Sequence, residues 1–327
     1  MITRTFAFFI ALFISAAAFG QKADSALLKQ SNIYYFKKGG WPVAEKDSAD
    51  YIRVVSPPDA EDPYLFNVHD FYMDGKPKLV GKSLMPSLNL KMQGTFIEYY
   101  PNGHRKAITN YENGKAIGDE VHYYPNGKLY YISHYDKDIK NDIISEAGDS
   151  TGVVLAENGK GIWIQYDDDF KFEKGKGPIF NGLKEGEWEG KPNDSVTYKC
   201  TYSKGISVNG VSHTKSGREY HFTKDIIEPE FKGGIKKFYQ FLGSNIHYPA
   251  DAREKNIQGK VYTSFFVEKD GSITNLIISS GIGGGCDEEV IRIIKLSSPW
   301  QAGVYYGMPV RVKYNIPISF TLQIESH

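Results

Sequence analysis

Gly94-Thr-Phe-Ile-Glu-Tyr-Tyr-Pro-Asn-Gly103 sets the architecture of the first half of the chain, because it recurs as Gly118-Asp-Glu-Val-His-Tyr-Tyr-Pro-Asn-Gly127. The two copies are 24 residues apart, and Tyr111 and Tyr135 keep the same offset. A fixed period of this length indicates stacked supersecondary units. Asn-Gly supplies the positive φ of a tight hairpin turn, and the preceding Pro suits the end of a strand. Each unit is therefore predicted to consist of two short β-strands.

The same spacing continues more loosely on both sides of these copies. Gly161 and Gly186 each begin a Gly-x-Trp sequence, and Gly210 follows Gly186 by 24 residues. An earlier, less regular copy centres on Phe71-Tyr-Met-Asp-Gly75. The repeat is therefore expected to extend well beyond its two clearest copies.

These residues resemble the MORN-type repeat in its bacterial variant form. The pattern is Tyr111-x-x-Gly114-x-x-x-Gly118, followed by an aromatic at Tyr123 and by Gly127. The resemblance implies a β-rich scaffold that serves as a protein-contact surface. We therefore predict an all-β MORN-like repeat domain over residues 66–225, after a β-rich lead-in over residues 21–65.

The last hundred residues have a different pattern. Apolar residues at helical spacing predict a helix from Ile235 to Leu242, and Pro249 suits the first turn of a second one. A third helix is predicted over Asp287–Leu296, with Val290, Ile291 and Ile294 facing inward. Between them, residues 261–267 alternate as a strand, and an Asp-Gly turn leads into a returning strand. The pattern is typical of an α+β domain.

The final strand is predicted to run from Val310 to Leu322, because every second residue is apolar. One face is buried and the other faces water, as in an antiparallel sheet. Pro317 cannot donate a hydrogen bond to a neighbouring strand, so this strand is expected at a sheet edge.

Residues 228–324 resemble the C-terminal domain of TonB energy transducers. The shared residues keep their order and spacing, and they include Tyr248-Pro249, Gly259-Lys-Val261, Asp270-Gly271, Trp300, Pro309-Val310 and Ile316-Pro-Ile-Ser-Phe320. The resemblance implies a small α+β fold with a three-stranded antiparallel sheet and two helices. It also implies binding of a short receptor peptide, the TonB box, by strand addition along the last strand.

The resemblance places the peptide-binding residues in two segments. The first lies just before Tyr-Pro and comprises Asn245, His247 and Tyr248. The second segment runs along the last strand itself and comprises Val310, Arg311, Val312, Lys313, Tyr314 and Asn315. The usual Gln of the first segment is replaced here, with Asn245 standing nearest to its position.

The N-terminus has the layout of a secretory signal. A single Arg4 precedes fifteen uncharged residues that end in small side chains. We predict a signal peptide over residues 1–20 and a periplasmic protein; an uncleaved inner-membrane anchor is the alternative. TonB transducers also carry a long Pro-rich linker, whereas the 15 Pro of this chain are scattered.

Composition and motifs exclude several kinds of function. The 39 Lys and Arg balance 39 Asp and Glu, which argues against a nucleic-acid partner. The glycine run Gly281–Gly285 lacks the Lys-Ser/Thr of a phosphate loop. No catalytic, metal or cofactor motif is found, so neither an enzyme nor a small-molecule substrate is predicted. Cys200 and Cys286 are expected to be separate buried thiols, although their oxidation state stays open.

The sequence therefore predicts an envelope protein of a Gram-negative cell. Its C-terminal domain would bind outer-membrane receptor peptides by edge-strand addition, in connection with TonB-dependent transmembrane transport. A proton-driven inner-membrane motor would be a further partner if the N-terminus is uncleaved. The alternative is a periplasmic scaffold or adaptor that uses its repeats as an interaction surface without energy transduction.

Overall fold

The computed structural model describes residues 30–135 and 143–322. The chain divides into two compact units between Val154 and Leu155. The second unit contains both the last repeat-like strands and the C-terminal region. The signal peptide predicted over residues 1–20 lies outside the described residues, and the predicted domain bounds stay a prediction.

The first unit consists of antiparallel β-strands. Strand β1 pairs with both β2 and β3, and from β3 to β10 each strand pairs with the next. A 3-10 turn lies at Lys46–Ser48. The strands are β1 Asn32–Lys37, β2 Trp41–Val43, β3 Tyr51–Ser56, β4 Phe66–Tyr72, β5 Pro77–Ser83, β6 Met92–Tyr99, β7 Arg105–Glu112, β8 Lys115–Tyr123, β9 Leu129–Tyr135 and β10 Ile143–Gly148.

The repeated Tyr-Tyr-Pro-Asn-Gly segments form the turns between strands, as predicted. Gly103 and Gly127 have φ of 88° and 82°, so both turns use the positive φ that Gly allows. The second Tyr of each turn reaches the neighbouring repeat: the Tyr100 hydroxyl donates to the Tyr123 carbonyl at 2.7 Å, and the Tyr124 hydroxyl donates to the Gly148 carbonyl at 3.0 Å. These bonds tie successive repeats together at the period seen in the sequence.

The second unit begins with another run of antiparallel strands. Its strands are β11 Val154–Glu157, β12 Lys160–Tyr166, β13 Glu173–Phe180, β14 Leu183–Lys184, β15 Gly186–Asn193, β16 Val196–Ser203, β17 Ile206–Thr214 and β18 Glu219–Phe222. Both Trp residues of the Gly-x-Trp sequences are buried, and the rings of Trp163 and Trp188 meet edge to face with centroids 6.1 Å apart. Aromatic side chains in edge-to-face contact therefore contribute to the core of this run.

The C-terminal region contains two small three-stranded sheets and three helices. One sheet has the order β19–β22–β23 and the other has the order β21–β20–β24. The elements are β19 Ile226–Ile227, α1 Gly234–Asn245, α2 Ala250–Glu254, β20 Gly259–Val267, β21 Ile273–Ser280, α3 Cys286–Leu296, β22 Gly303–Tyr305, β23 Met308–Val310 and β24 Val312–Phe320. The predicted α+β fold with a three-stranded antiparallel sheet is confirmed, and the short helix α2 accompanies the two longer helices.

The core of this region joins the helices to the inner face of the β21–β20–β24 sheet. Phe238, Phe265, Val290 and Trp300 belong to it. The prediction for α3 was partly wrong, because Ile293 is buried and Ile291 is only half-buried. Ile293 and Ile294 lie three and four residues after Val290 and share its face, whereas Ile291 is turned about 100° from Val290.

The predicted final strand is in fact two strands that belong to different sheets. Val310 ends β23 and pairs with Gly303, while β24 begins at Val312 and pairs with β20. The break falls at Arg311. Its guanidinium lies 3.7 Å from the centre of the Phe266 ring, and its Nε donates to Glu268 at 2.8 Å. These contacts hold the chain where it crosses between the sheets, and alternation of apolar residues cannot reveal such a crossing.

Candidate peptide-binding edge

Strand β24 is an edge strand of its sheet. It pairs with β20 through nine consecutive residues, from Val312 opposite Val267 to Phe320 opposite Gly259, without a register shift. No other described strand pairs with it. The edge expected from Pro317 is therefore present, and it is long and regular.

The opposite edge of the same sheet is irregular. The pairing of β21 with β20 shifts register between Tyr262 and Thr263, and again between Ser264 and Phe266. Register shifts of this kind bend a strand and interrupt its ladder, which discourages the addition of another strand. Of the two edges, β24 is thus the better template for an added strand.

Pro317 indicates which backbone groups of β24 face outward. Backbone groups point alternately to the two sides of a strand, and Pro has no N–H to donate. Since the ladder with β20 is unbroken at Pro317, we expect its nitrogen to face away from β20. Lys313, Asn315 and Ser319 share this alternation, so their N–H groups are expected at the open edge.

The residues predicted at the start of this edge have different roles in the structure. Val310 is paired within the neighbouring small sheet, and the Arg311 side chain binds Glu268. The Glu268 pKa is held below its usual value by hydrogen bonds from Thr274 and Arg311. The exposed Arg311 side chain is therefore engaged by residues of its own domain. Lys313 and Asn315 are exposed on the outer face of the sheet.

Tyr314 lies on the inner side of β24 and packs against the core. Its ring centroid lies 5.0 Å from that of Trp300 and 5.7 Å from that of Phe265. Burial raises the pKa of Tyr314, and the neighbouring Tyr239, Glu228 and Glu230 raise it further. These neighbours were not predicted from the sequence, because helical spacing indicates only that Tyr239 faces away from the core.

The segment before Tyr-Pro is fixed by helix α3. Glu289 accepts the His247 backbone N–H at 2.6 Å. Arg292 donates to the Asn245 carbonyl at 2.6 Å and lies 3.0 Å from the His247 Nδ1. A hydrogen bond from Arg292 lowers the Glu289 pKa, and the His247 N–H contributes. Asn245 ends α1, which is longer than predicted, and its Nδ2 donates to the Phe241 carbonyl.

Tyr248 connects this segment to the far end of the edge strand. Its ring meets Phe320 edge to face with centroids 5.6 Å apart, and its hydroxyl donates to the Ile257 carbonyl at 2.6 Å. Phe320 lies five positions after Asn315, which corresponds to about 17 Å of extended strand. The predicted site residues therefore form two groups, one near each end of β24.

Other candidate sites have ordinary structural explanations. The Asp287 carboxylate accepts the Ile282 N–H at 3.0 Å, so an acid of the chain itself occupies the turn after the glycine run. Cys200 and Cys286 are buried free thiols. Within residues 30–135 and 143–322, no group of three His, Cys, Asp or Glu is placed to hold a metal ion. No helix in those ranges is long and apolar enough to cross a membrane.

Comparison with known proteins identifies the region that contains this edge. Residues 244–322 match the family model for the Gram-negative bacterial TonB protein C-terminal. The C-terminal region is TonB-like. The match covers both groups of predicted site residues, and both predicted resemblances are confirmed, because residues 92–113 and 117–137 match the MORN repeat variant.

One solved structure similar to this chain is the NMR solution structure of the Helicobacter pylori TonB C-terminal domain. Sequence identity is 23%, the match covers 28% of this chain and 82% of that one, and the TM-score is 0.22. No curated protein matches the chain.

Proposed function

We propose that the TonB-like region binds extended peptide segments of outer-membrane receptors, or of other envelope proteins, by strand addition to β24. The observation that carries this proposal is the regular edge of β24. This strand pairs with β20 without a register shift, and no other described strand pairs with its opposite side. Unpaired N–H and C=O groups at such an edge are completed by an incoming backbone. The family match at residues 244–322 supports the same reading.

Binding by strand addition is expected to depend only weakly on the amino-acid sequence of the bound peptide. Main-chain hydrogen bonds supply affinity, while side chains at alternate positions supply specificity. Asn315 lies in the first half of β24, and its N–H is expected to face the partner. Its side chain is exposed, so a substitution there can test the edge without emptying the core.

The test compares Asn315→Pro with Asn315→Ala in the full chain. Both variants lose the amide side chain, but only Pro removes the outward N–H. Binding to synthetic peptides that contain receptor TonB-box segments is measured by isothermal titration calorimetry. Asn315→Pro should lose binding while circular dichroism and the melting temperature stay close to those of the Ala variant. Equal affinities for the two variants would reject the edge as the binding site.

We further propose that the protein is exported and acts in TonB-dependent transport. Export rests on the N-terminal sequence pattern, and transport rests on the family match. The intact mass of the native protein, measured in soluble periplasm and in the inner-membrane fraction, tests the first point. A soluble protein lacking residues 1–20 would support an adaptor that docks on receptors. A full-length protein in the inner membrane would instead support an anchored transducer coupled to a proton-driven motor.

A scaffold role for the repeats is the second candidate function. A groove of ≈ 380 Å³ lies on the first unit and is lined mainly by apolar side chains, including Ile33, Ile52, Val54 and Phe71. Under this alternative, Ile52→Glu should abolish capture of envelope partners by the tagged full chain, whereas Asn315→Pro should leave it intact. The reverse pattern favours strand addition.

A further inference from the structure

Helix α1 presents apolar side chains to solvent beside the edge strand. Phe238 and Leu242 face the core, but Ile235 and Tyr239 are 49% and 57% exposed. An exposed Ile and Tyr one turn apart form a continuous apolar surface. Single exposed apolar residues need no explanation, whereas a pair beside an open strand indicates a contact surface.

Buried ring contacts connect helix α1 to the inner side of β24. The buried Phe238 ring packs on Trp300 with centroids 5.3 Å apart, and Tyr314 packs on the same Trp300 at 5.0 Å. Tyr239 also raises the pKa of Tyr314, which is consistent with a short distance between helix α1 and β24. Ile235, Tyr239 and Tyr314 together are termed the ledge below.

Two acidic residues lie next to the ledge. Glu228 and Glu230 flank the buried Pro229 and are themselves exposed. A Cβ placed on Gly303 would lie 2.6 Å from the Val312 Cγ2 and 3.2 Å from the Pro229 Cδ, so this acidic segment passes close to the start of β24. Among the described residues, neither carboxylate forms an ion pair with Lys, Arg or His.

The Glu228–Glu230 segment is also held in place by its backbone. The Glu230 N–H donates to the Gln301 carbonyl at 3.2 Å, and the Gln301 N–H donates to the Glu230 carbonyl at 2.8 Å. Glu230 therefore keeps a fixed position relative to Trp300 and Tyr314. Its charge is available to a partner because its side chain is exposed.

A strand added to β24 would direct alternate side chains toward this region. Directly opposed residues in paired strands have Cβ atoms about 5 Å apart. A peptide side chain level with Tyr314, on the same face, would thus reach the ledge. A basic residue close to that position would approach the two carboxylates.

We infer that the peptides bound at β24 carry a large apolar side chain level with Tyr314 and a Lys or Arg close to it. The ledge contacts the apolar side chain, and Glu228 and Glu230 attract the basic one. This inference rests on the proposed strand addition, and it names the residues that select among peptides. A small organic ligand fits poorly, because an open surface cannot bury most of its area.

The test uses three synthetic seven-residue peptides on one Thr-Val-Thr-Xaa-Thr-Zaa-Thr host, in which Xaa and Zaa are two positions apart and share one face of the strand. Xaa and Zaa are Leu and Lys, Ala and Lys, or Leu and Glu, and affinities for the full-length protein are measured by calorimetry at low salt. The Leu-Lys peptide should bind about fivefold tighter than either other peptide, as expected for one buried apolar contact and for exposed ion pairs.

Variants of the full chain assign each preference to its residues. Tyr239→Ala should remove the preference for Leu over Ala, and the double variant Glu228→Gln/Glu230→Gln should remove the preference for Lys over Glu. Ile277→Ala is the matched control, since Ile277 is 56% exposed on the far strand β21. It should leave both preferences unchanged.

The outcomes separate this inference from the function on which it rests. Equal binding of all three peptides to the wild type would overturn the inference and leave strand addition standing. Preferences that persist in the Tyr239 and Glu variants would also overturn it. Failure of every peptide, including receptor TonB-box peptides, would overturn both proposals.

Discussion

The backbone N–H of Tyr306 donates a 2.7 Å hydrogen bond to the carbonyl of Asp225. Asp225 follows the last repeat-like strand, which ends at Phe222, and Tyr306 lies in the turn between β22 and β23 of the C-terminal region. The carboxylate of Asp225 accepts the Tyr202 hydroxyl at 2.5 Å, and the Tyr306 carbonyl accepts the Ser212 hydroxyl at 2.7 Å. Backbone and side-chain hydrogen bonds therefore connect the last repeat-like strands to the β22–β23 turn.

The Tyr306 side chain inserts into the last repeat-like strands. Its centroid lies 4.3 Å from that of Tyr198 and 5.3 Å from that of Phe222, and only 7% of its surface is exposed. The turn that holds Tyr306 leads through β23 directly into β24. The repeat-like strands of the second unit and the turn that leads into β24 are thus packed together, as their membership of one compact unit indicates.

Tyr306→Ala should destabilise the second unit by about 3–5 kcal/mol, the usual cost of removing a large buried ring. Chemical denaturation monitored by tryptophan fluorescence measures the change, because Trp163, Trp188 and Trp300 all lie in this unit. The half-buried neighbour Tyr305 supplies the control, and Tyr305→Ala should cost less. Equal losses of unfolding free energy for the two variants would show that the insertion of Tyr306 adds no more stability than the half-buried Tyr305.

Lys184 should make the stability of the second unit depend on pH. Its Nζ lies 4.3 Å from the centre of the Trp188 ring and 4.8 Å from that of Tyr202. Burial lowers the pKa of Lys184 from 10.5 to about 8, although Asp225 opposes this. Between these two values the unfolded chain binds more protons than the folded one, so this group's contribution to the free energy of unfolding rises with pH.

Lys184→Met removes this ionisation and isolates its effect. The variant should be more stable than the wild type at pH 7, and the difference should shrink by about 2 kcal/mol between pH 8 and 10. Urea denaturation of both proteins across this range provides the measurement. Other groups that titrate in both proteins largely cancel in the difference. A gap that stays constant with pH would mean that Lys184 keeps an ordinary pKa.

Tyr100→Phe should weaken the contact between adjacent repeats in the first unit. The lost hydroxyl leaves the Tyr123 carbonyl without its side-chain donor, which costs about 1 kcal/mol. Thermal denaturation and hydrogen exchange near Tyr123 report the loss. Tyr99→Phe is the control, because within the described residues the Tyr99 hydroxyl has no hydrogen-bond partner. If both variants behaved alike, the inter-repeat bond would have no measurable role.

Both cysteines should be unreactive in the folded protein. Burial raises the pKa of Cys200 to about 11, and burial also raises that of Cys286. The thiolate is the reactive form, so a thiol reagent at pH 8 should label neither residue until guanidinium unfolds the chain. Two thiols should then react. Immediate labelling of the native protein, or fewer than two thiols after unfolding, would contradict the structure.

The sequence was most informative where structure depends on neighbours in the chain. The 24-residue repeat, the Asn-Gly turns and the alternation around Val261 each have local causes, and the strands predicted from them and the fold class are confirmed. Pro317 likewise indicated the edge strand, because a residue without an N–H cannot donate a hydrogen bond to a strand on that side. Local conformational preferences and side-chain periodicity were sufficient for these predictions.

Tertiary structure decided the features that depend on distant residues. The final strand breaks at Arg311 because Glu268 and Phe266 hold its side chain, and neither partner is near it in the chain. Asn245 and Asn315 were predicted for one site, but packing places their segments near opposite ends of β24. Tyr306 enters the repeat-like strands through contacts with residues about 80 to 110 positions earlier. Periodicity specifies which face of an element is buried, whereas the fold alone specifies what lies against it.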